Sequence, residues 1–397
     1  MKLSDTKRLI AQYLHLENDD VIDVMVGTTL SNRLGKESVV WMAIVGESSG
    51  GKSQLIKPMA ISDADYFLQV DDLTENTFLS GAGGKGENYS LLTPAMKNNM
   101  LVISDLTVIF SKSEETQNAI LSQFRMIADG ELTKHTGSKG ALTWQGRMGV
   151  LAGCTPAIYR SFQRVSDMGD RFMMYRLPPN DKRKALELAL SRELSGNSLN
   201  NRMADIFSEY MREVVIKTRD LPRPNLTPEI TNHIFEISEF AEQLRTPISL
   251  DYRGTILDKP ASAYPIRTAL QLAAIARTLL LLQQVEPDSN VNIPRILDHL
   301  AWSLADDTTR STLEVFSALE PGEVVTRQQV ADYIGLPTSS AGMFVDRLLA
   351  RGILERTSDA GLEFRLKSSS DRLLLRRMIG GKSIVIPKPR ISYETNV

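Results

Sequence analysis

The feature that most constrains this chain is an octapeptide, GESSGGKS, at residues 46–53. It follows an apolar run at residues 39–45, which predicts a buried strand, and it precedes residues 54–57, which predict the continuation of a helix. Glycines at such a turn let backbone N–H groups point inward around a polyphosphate, and the positive N-terminal end of the helix faces the same anion. The octapeptide therefore predicts a phosphate-binding loop of the GxxxxGK[ST] type.

The loop residues have expected roles in holding ATP and Mg²⁺. Lys52 would reach the β- and γ-phosphates, and the Ser53 hydroxyl would bind Mg²⁺. A chance match in a glycine-rich turn is the alternative, and the strand and helix patterns on either side argue against it. The predicted nucleotide-binding residues are Gly46, Glu47, Ser48, Ser49, Gly50, Gly51, Lys52, Ser53 and Gln54.

The composition is that of an ordinary globular protein and leaves binding to nucleic acid open. Of the 397 residues, 24% are charged and 42% are hydrophobic, and the formal net charge is -2. A chain of this length predicts two or three domains. Because there is no overall basic charge, any surface for nucleic acid must be local, such as the inner wall of a ring.

The cysteine and hydropathy patterns favour a cytoplasmic protein that does not enter a membrane. The single cysteine, Cys154, leaves no internal disulfide to form, and the four histidines show no zinc-ligand spacing. No stretch reaches the roughly 18 consecutive apolar residues that a membrane span requires. The most apolar run, residues 270–282, carries polar residues at helix-bundle spacing and is interpreted as a buried helix.

Alternating strand and helix patterns at residues 38–178 predict an α/β domain with a parallel sheet and helices on both faces. The strands are predicted at residues 39–45, 66–70, 100–104, 148–153 and 172–175. Beyond this domain the chain becomes helical and poor in strands, which predicts an all-helical lid. The predicted domains are N-terminal helices at 1–37, the α/β core at 38–178, the lid at 179–305, a further domain at 306–378 and a tail at 379–397.

Capping signals mark several predicted helix ends. Two helices are predicted within residues 3–35, ending at Gly35, with an apolar stripe on one face of the second helix that packs against the α/β core. Another helix is predicted at residues 114–128, with a capping box formed by Ser111 and Glu114 at its start. These helices therefore belong to the layers that cover the sheet.

Residues 309–368 predict three helices and a hairpin, which is the pattern of a winged helix-turn-helix. Thr326 caps a helix that ends at Gly335, a second helix follows, and two strands close the pattern. Because the second helix offers only Arg347 and Arg351 as cations, binding to DNA and binding to another protein both remain open.

A candidate metal-binding carboxylate ends the third predicted strand, where the sequence MLVISD closes with Asp105. P-loop ATPases place a Mg²⁺-binding aspartate at this position. Most hydrolysing ring ATPases follow that aspartate with a glutamate that polarises the attacking water, but this chain has Leu106. Either Asp105 is the base, with Ser104 on the metal side, or the base comes from elsewhere, with Glu47 as a candidate. An aspartate that only caps a turn is the simpler alternative.

Three further residues stand where nucleotide-driven rings place catalytic groups. Thr155 follows the fourth predicted strand and would orient the attacking water, unless it only caps a turn. Arg171 precedes the fifth strand and would project into a neighbouring subunit's site as an arginine finger, with a surface ion pair to Asp170 as the alternative. Arg267 opens a lid helix and would act as a second sensor of the phosphates, unless it is simply a solvent-exposed arginine of the first turn.

Two β-prone arms at residues 131–147 meet at a glycine-bounded tip and predict a β-hairpin. Lys139 lies at the tip, and copies of it around a ring would form a positive collar for DNA phosphates, with Lys134 and His135 on one arm. A glycine-rich loop that carries Lys85 is a second candidate pore element. A surface hairpin without a role in binding is the alternative.

The order of these motifs resembles that of AAA+ ATPases of the MCM-like kind. It comprises the P-loop, the strand-end aspartate, the hairpin with a tip lysine, the polar sensor, the GDRF arginine, the lid arginine and the C-terminal winged helix. The segments FRMIADGELTK, VLAGCTPAI and MGDRF are similar to text in ATP-binding proteins and helicases of phages and mobile genetic elements. The resemblance covers roughly residues 20–370. It implies an α/β P-loop AAA+ core with a helical lid and a C-terminal winged-helix domain.

The resemblance also implies a hexameric motor, driven by ATP with Mg²⁺, that moves on single-stranded DNA through a central pore and has replication proteins as partners. The leading hypothesis is an MCM-like replicative helicase in which Arg171 of a neighbour completes each ATP site. A helicase loader or a DNA-bound switch without unwinding is the alternative, favoured by Leu106 and by a short N-terminal region without a large DNA-binding or primase domain. A protein-remodelling motor is a third hypothesis, for which residues 78–81 are the nearest match to a pore loop, although they fit a helix end better.

Overall fold

The structure, a computed structural model, describes residues 1–82, 89–137, 139–161, 171–253, 255–258, 260–320, 322–357, 363–380 and 384. The chain divides by its internal packing into two units. The first is formed by Met1–Ile234 with Arg267–Leu300, and the second by Phe235–Ile266 with Ala301–Val397. The predicted lid, residues 179–305, therefore contributes helices to both units, and its boundaries stay a prediction.

The first unit is built around a five-stranded parallel sheet. Its strands in chain order, with the intervening hairpin, are β1 (Trp41–Val45), β2 (Phe67–Val70), β3 (Asn98–Ile103), β4 (Glu131–Thr136), β5 (Gly140–Gln145), β6 (Arg147–Cys154) and β7 (Phe172–Arg176). The strand order of the sheet is β2-β3-β6-β1-β7, while β4 and β5 pair only with each other. The five predicted strands are confirmed, and β1 is buried at every position, as expected where both faces of a parallel sheet are covered.

All neighbouring strands of the sheet run parallel, so their carboxyl ends meet at one edge, which we call the carboxyl edge. The registers pair Val45 of β1 with Cys154 of β6, and Val70 of β2 with Ile103 of β3. We call the opposite end, where the strands begin, the amino edge. Residues directly after the strands therefore collect at the carboxyl edge although they are far apart in sequence.

The helices up to residue 302 are α1 (Leu3–Ala11), α2 (Asp20–Leu34), α3 (Lys52–Ile61), α4 (Glu114–Ala128), α5 (Lys182–Ser191), α6 (Gly196–Thr218), α7 (Pro228–Arg245), α8 (Ile266–Val285) and α9 (Ile293–Trp302). Most of them belong to the first unit, whereas α7 lies mainly in the second. Short 3-10 helices follow β3 and β6, at Leu106–Ser111 and Pro156–Ser161. These two turns bear directly on the site because they begin at the carboxyl edge.

Helix α2 attaches the N-terminal segment to the sheet. The Asn32 side chain donates to the Val40 carbonyl at 2.8 Å and accepts from the Val40 N–H at 2.9 Å. A Cβ at Gly149 would lie 2.4 Å from Asn32 Nδ2, so β6 needs glycine at this close approach. The predicted end at Gly35 is confirmed, with φ of 63°. The residues of the predicted apolar face, Val21, Val24, Met25 and Leu30, are buried, and burial extends to every residue from 20 to 32.

Helix α4 confirms the predicted helix but not its predicted cap. Ser113 is the cap, and its hydroxyl oxygen accepts from the Thr116 N–H at 3.4 Å. Ser111 instead ends the preceding 3-10 helix, where its hydroxyl donates to the Val108 carbonyl at 2.7 Å. The capping box of Ser111 with Glu114 is therefore wrong, because the 3-10 turn uses Ser111 before α4 begins.

Helix α8 contains the most apolar run of the chain. Among the residues that the structure describes, it is the single helix long and apolar enough to cross a membrane by length and composition, and 61% of its most apolar window is buried inside the protein. The prediction of a buried helix at residues 270–282 is confirmed.

The second unit contains a small antiparallel sheet packed with helices. Its further elements are α10 (Asp307–Ala318), β8 (Val325–Thr326), α11 (Arg327–Ile334), α12 (Thr338–Ala350), β9 (Leu354–Arg356), β10 (Glu363–Leu366) and α13 (Ser369–Met378). The sheet order is β8-β10-β9. Thr326 and Gln329 form a capping box at the start of α11, and Gly335 ends that helix with φ of 70°, as predicted. Strand β8 and helix α13 were not expected from the sequence.

Candidate functional site

The glycine-rich loop joins the carboxyl end of β1 to α3, as predicted. Gly51 caps α3 with φ of 87°, a left-handed conformation that favours glycine. A Cβ at Gly50 would lie 3.0 Å from the Glu47 carbonyl oxygen, so the loop is tight at this position. The Gly46 N–H donates to the Cys154 carbonyl at 3.1 Å and fixes the start of the loop on β6. The loop thus presents the N-terminal end of α3 at the carboxyl edge, where an anion can be bound.

Lys52, the first residue of α3, folds back over this loop. Its Nζ donates to the Gly46 carbonyl at 2.7 Å and to the Glu47 carbonyl at 2.6 Å. The side chain is buried, and this burial lowers the pKa of Lys52, while the charge of Asp105 acts in the opposite direction. The ammonium group therefore rests on neutral carbonyl oxygens, which phosphate oxygens can replace with a gain in charge pairing.

The other predicted loop residues lie around Lys52 with their side chains at the surface. Ser48, Ser49 and Ser53 are exposed, as is Glu47, whereas Gln54 is half-buried. The hydroxyl of Ser53 and the carboxylate of Asp105 are hard oxygen donors, which suits Mg²⁺ in the chemistry of its ligands. The residues present therefore fit a magnesium ion held together with phosphate oxygens.

A hydrogen-bonded chain connects Asp105 to Thr155 across two strands. Asp105 Oδ1 accepts from the Thr107 N–H at 2.9 Å, and Thr107 Oγ1 accepts from the Thr155 N–H at 2.9 Å. The first of these bonds is the turn cap that was left open as the alternative for Asp105. The cap also orients the carboxylate, because a hydrogen bond to Oδ1 fixes the direction of the second oxygen, Oδ2. Thr107 was missed from sequence because it acts through the pairing of β3 with β6.

A second carboxylate, Asp71, lies at the carboxyl edge opposite Ser104, the residue before Asp105. Asp71 follows β2, and its Oδ1 accepts from the Ser104 hydroxyl at 2.7 Å. The next residue, Asp72, is paired differently, because Lys112 Nζ lies 2.7 Å from its Oδ1 and lowers the pKa of that carboxyl. A signal was present in the sequence, since two aspartates follow the second predicted strand.

Cys154 ends β6 beneath the loop and is buried. Burial raises the pKa of its thiol to about 12, with a smaller contribution in the same direction from Asp105. The cysteine is therefore an unreactive apolar group at this edge rather than a nucleophile.

The connection between α1 and α2 covers the loop from the other side. A Cβ at Gly51 would lie 3.0 Å from Leu14 Cδ1, so this connection is in contact with the loop. Asn180 holds it in place, because its side chain accepts from the Glu17 N–H at 3.0 Å and donates to the His15 carbonyl at 3.1 Å. A cavity of about 540 Å³ lies along this connection, lined in part by Leu14 and His15.

Arg171 lies at the amino edge, at the far end of β7 from the loop. Phe172 is the first residue of β7 and pairs with Trp41, the first residue of β1. The Arg171 side chain is 12% exposed, and its Nη2 lies 3.3 Å from both carboxylate oxygens of Asp129, the residue that follows α4. Asp170, the partner considered from sequence, lies outside the described residues. Within one chain, Arg171 and Lys52 are thus separated by the length of a strand.

Two other arginines lie at the ends of elements in this unit, and one of them, Arg267, was predicted as a sensor. Arg267 is half-buried in the first turn of α8. Arg176 was not identified from sequence, yet it ends β7 at the carboxyl edge and pairs in register with Val45. Its guanidinium carbon lies 5.7 Å from the centroid of the Tyr159 ring. The signal was the arginine that closes the apolar run of the fifth strand.

The predicted hairpin at residues 131–147 is confirmed, with β4 and β5 paired in antiparallel register. It leaves the sheet at the amino edge, because β6 begins at Arg147 directly after the hairpin. Trp144 anchors its base, where the ring is buried and Nε1 donates to the Met96 carbonyl at 2.8 Å. The tip is therefore carried on a fixed base.

Both lysines of the hairpin contact residues 75–82, which lead into the second predicted pore element. Lys134 Nζ donates to the Glu75 carbonyl at 2.6 Å and to Asn76 Oδ1 at 2.7 Å. Lys139 Nζ donates to the Ala82 carbonyl at 2.8 Å. The structure thus brings the hairpin tip against the start of the second predicted pore element.

The remaining predicted pore residues have separate outcomes. His135 is exposed on β4, and Lys85 lies outside the described residues. A Cβ at Gly81 would lie 2.7 Å from Thr136 Cβ, which shows how closely this segment approaches the hairpin. Residues 78–81 are irregular, so their interpretation as a helix end is wrong.

In the second unit, the two arginines predicted as cations of α12 differ. Arg351 is largely withdrawn from solvent: its Nε donates to the Thr246 carbonyl at 3.1 Å, and burial lowers its pKa to about 10. The Arg347 guanidinium lies 5.4 Å from the centroid of the Phe344 ring. Of these two cations, Arg351 is thus poorly placed to meet a phosphate.

Comparisons with known proteins give similarity only at the level of solved structures. No family model matches the chain, and no curated protein matches it. A full-length MCM homologue from Methanopyrus kandleri is similar over 76% of this chain and 59% of that chain, with 14% identity and a TM-score of 0.42. The A form apo structure of the NrS-1 C-terminal region is similar over 70% of this chain and 66% of that chain, with 10% identity and a TM-score of 0.31.

Proposed function

We propose that this chain is an ATPase of the AAA+ class that assembles into a ring and moves on single-stranded DNA, as an MCM-like replicative helicase of a phage or mobile element. The observation that carries the proposal is the arrangement at the carboxyl edge. Lys52 follows β1, Thr155 follows β6 and Asp105 follows β3, on three adjacent strands. The Thr107 bridge between Asp105 and Thr155 supports a common role for the two.

In this proposal the loop residues bind the phosphates of ATP. Lys52 exchanges the Gly46 and Glu47 carbonyls for phosphate oxygens, and the N-terminal end of α3 faces the same charge. Ser53 and Asp105 hold Mg²⁺, which when bound neutralises charge on the phosphates. Thr155 orients the attacking water, because its backbone is fixed through Thr107. The cavity beside Leu14 accommodates the nucleoside.

The ring is required because Arg171 lies at the amino edge, away from the loop of its own chain. An arginine there acts on the γ-phosphate only in the site of a neighbouring subunit. To do so it leaves Asp129, whose side chain is 62% exposed. Arg267 acts as a second sensor of the phosphates in the same assembly.

DNA is engaged from the amino edge in this proposal. The hairpin tip carries Lys139, Lys134 lies on the arm beneath it, and His135 is exposed nearby. Copies of the hairpin around a ring, most simply a hexamer, would form a positive collar for the backbone of a single strand. Lys85 would add to the collar.

A second candidate function keeps the ATPase and omits unwinding. The observation that favours it is Leu106, which is buried with 5% exposure at the position where ring ATPases carry a catalytic glutamate. A protein with slow hydrolysis would serve as a helicase loader or as an assembly switch on DNA. Its second unit would then bind a partner protein, in line with the burial of Arg351.

The deciding experiment measures ATP hydrolysis with and without single-stranded DNA, beside strand displacement from a forked duplex. Hydrolysis stimulated by DNA together with displacement supports the helicase. Tight ATP binding with slow, unstimulated turnover supports the switch. Failure to bind ATP would overturn both functions.

A further inference from the structure

Asp71 occupies a position at the carboxyl edge that no motif assigns. Strand β2 pairs in parallel with β3, with Val70 opposite Ile103, so Asp71 lies opposite Ser104. The Ser104 hydroxyl donates to Asp71 Oδ1 at 2.7 Å, a short hydrogen bond to a charged acceptor. Neighbouring strands are about 4.8 Å apart, so Asp71 is one strand further from the loop than Asp105.

The two carboxylates at this edge have different electrostatic partners. Asp105 follows β3, which lies beside β6, and Thr107 connects it to Thr155 on the side of the sheet that leads to the loop. Asp71 is exposed to water and accepts from Ser104. Asp72, beside it, is neutralised by Lys112 at 2.7 Å. Of the two aspartates after β2, Asp71 is thus the one that contacts Ser104, the residue between β3 and Asp105.

We infer that Asp71, acting through Ser104, supplies the proton acceptor that Leu106 does not. This inference rests on the proposed ATPase function and deepens it. Asp105 then keeps its role as a ligand of the metal beside Lys52. Asp71 and Ser104 accept the proton of the attacking water. Asp71 is a positioning residue, because it reaches the water only through the Ser104 hydroxyl.

The proposed step balances in atoms and charge. The water oxygen forms a bond to the γ-phosphorus, and the bond from that phosphorus to the bridging oxygen breaks with its electron pair leaving on ADP. One proton passes from the water to Ser104 Oγ as the Ser104 proton passes to Asp71. The carboxylic acid of Asp71 then returns this proton to solvent, which its exposure permits.

The test compares Asp71→Asn with the matched control Asp72→Asn, an exposed aspartate at the same strand end whose partner is Lys112. Single-turnover hydrolysis by Asp71→Asn is expected to fall about 10²- to 10⁴-fold, the range that general-base catalysis supplies. Asp72→Asn is expected to stay near the wild-type rate.

A binding measurement separates this role from a structural one. ADP should bind Asp71→Asn as it binds the wild type, whereas Mg·ADP with aluminium fluoride, which mimics the transition state, should bind about 10-fold or more weakly. Ser104→Ala should repeat this loss, and Ser104→Thr, which keeps the hydroxyl, should restore binding.

The outcomes distinguish this inference from the function on which it rests. Wild-type hydrolysis together with near-normal hydrolysis and analogue binding by Asp71→Asn would overturn the role of Asp71 and leave the ATPase intact. Absence of ATP binding and hydrolysis in the wild type would overturn the proposed function itself, and the role of Asp71 with it.

Discussion

The two edges of the parallel sheet differ in what holds their charged groups. At the carboxyl edge, Lys52 is buried and held by carbonyls of its own loop, and Asp105 is tied to Thr155 through one threonine. At the amino edge, Arg171 contacts an exposed carboxylate at 3.3 Å, and Lys139 Nζ contacts the carbonyl of the exposed Ala82 at 2.8 Å. The first set is preorganised within one chain, whereas the second set contacts groups that lie at the protein surface. In the proposed function, the carboxyl edge acts on a nucleotide and the amino edge on neighbouring subunits and DNA.

Removal of Lys52 tests the carboxyl edge and should have the largest effect on ATP hydrolysis of all the variants. Lys52→Ala deletes the one buried cation of the loop and should abolish detectable hydrolysis, a loss of about 10³-fold or more, together with most of the affinity for ATP. Radiolabelled phosphate release and equilibrium binding of a fluorescent ATP analogue measure the two effects. The matched control is Lys57→Ala on the same helix, which should retain both.

If Lys57→Ala lost activity to the same extent, the effect would reflect damage to α3 rather than loss of a phosphate contact. If Lys52→Ala kept both hydrolysis and binding, the carboxyl edge would not be the nucleotide site, and the contrast between the edges would have no functional meaning.

The carboxyl edge was largely predictable from sequence because its main residues directly follow apolar strands. Lys52, Asp105 and Thr155 each stand at a fixed offset from such a run, and parallel pairing then brings them together. The prediction of Ser111 as a cap was wrong because a 3-10 turn, Leu106–Ser111, precedes α4. Such short turns have no strong periodicity by which the sequence could indicate them.

The missed contacts are those that depend on which elements become neighbours. Asp71 bonds Ser104 only because β2 lies beside β3, and Asp129 meets Arg171 from a segment 42 residues away. Arg351 is likewise shielded from solvent where it donates to the Thr246 carbonyl, 105 residues away in sequence. One sequence does not specify such pairings, because many partners satisfy the same local pattern.

Arg171 tests the amino edge and should give the next largest effect. Arg171→Ala should reduce hydrolysis by about 10³-fold, at the lower end of the range for arginine fingers, while ATP binding stays close to wild type. The separation of hydrolysis from binding follows from its position away from the loop of its own chain. Arg183→Ala, at an exposed arginine paired within α5, is the control and should be silent.

Subunit mixing sharpens this prediction. Arg171→Ala chains keep an intact loop and Lys52→Ala chains keep an intact Arg171, so mixed rings contain some interfaces with both. Hydrolysis should partly recover on mixing under conditions that allow exchange of subunits. Absence of recovery in demonstrably mixed assemblies would place Arg171 in a structural role with Asp129.

Lys139 should give a smaller and more selective effect. Lys139→Ala removes the hairpin-tip cation, so basal hydrolysis should persist while stimulation by single-stranded DNA is lost and the salt dependence of DNA binding becomes shallower by about one phosphate contact. Hydrolysis and DNA affinity measured across a salt series check both effects.

The control for the hairpin is Lys97→Ala, because Lys97 Nζ also contacts a hairpin carbonyl, that of Gln145, at 3.5 Å but at the base rather than the tip. This variant should keep full stimulation. Equal losses in both variants would mean that general positive charge at the amino edge matters rather than the tip, and full stimulation in Lys139→Ala would remove the hairpin from the DNA path.

The smallest expected effect concerns how dry the carboxyl edge is beneath the loop. Cys154 is buried, and its thiol pKa is raised to about 12, chiefly by burial and then by Asp105, so at pH 8 almost none of it is the reactive thiolate. A thiol reagent at pH 8 should therefore label the native protein about 10³-fold more slowly than the protein in denaturant. Because the chain has one cysteine, the label reports this position alone. Asp105→Asn should leave labelling slow, since burial is the dominant cause. Rapid labelling of the native protein would show that water reaches β6 under the loop, and the carboxyl edge would then lack the desolvation that distinguishes Lys52 from the lysines of the hairpin.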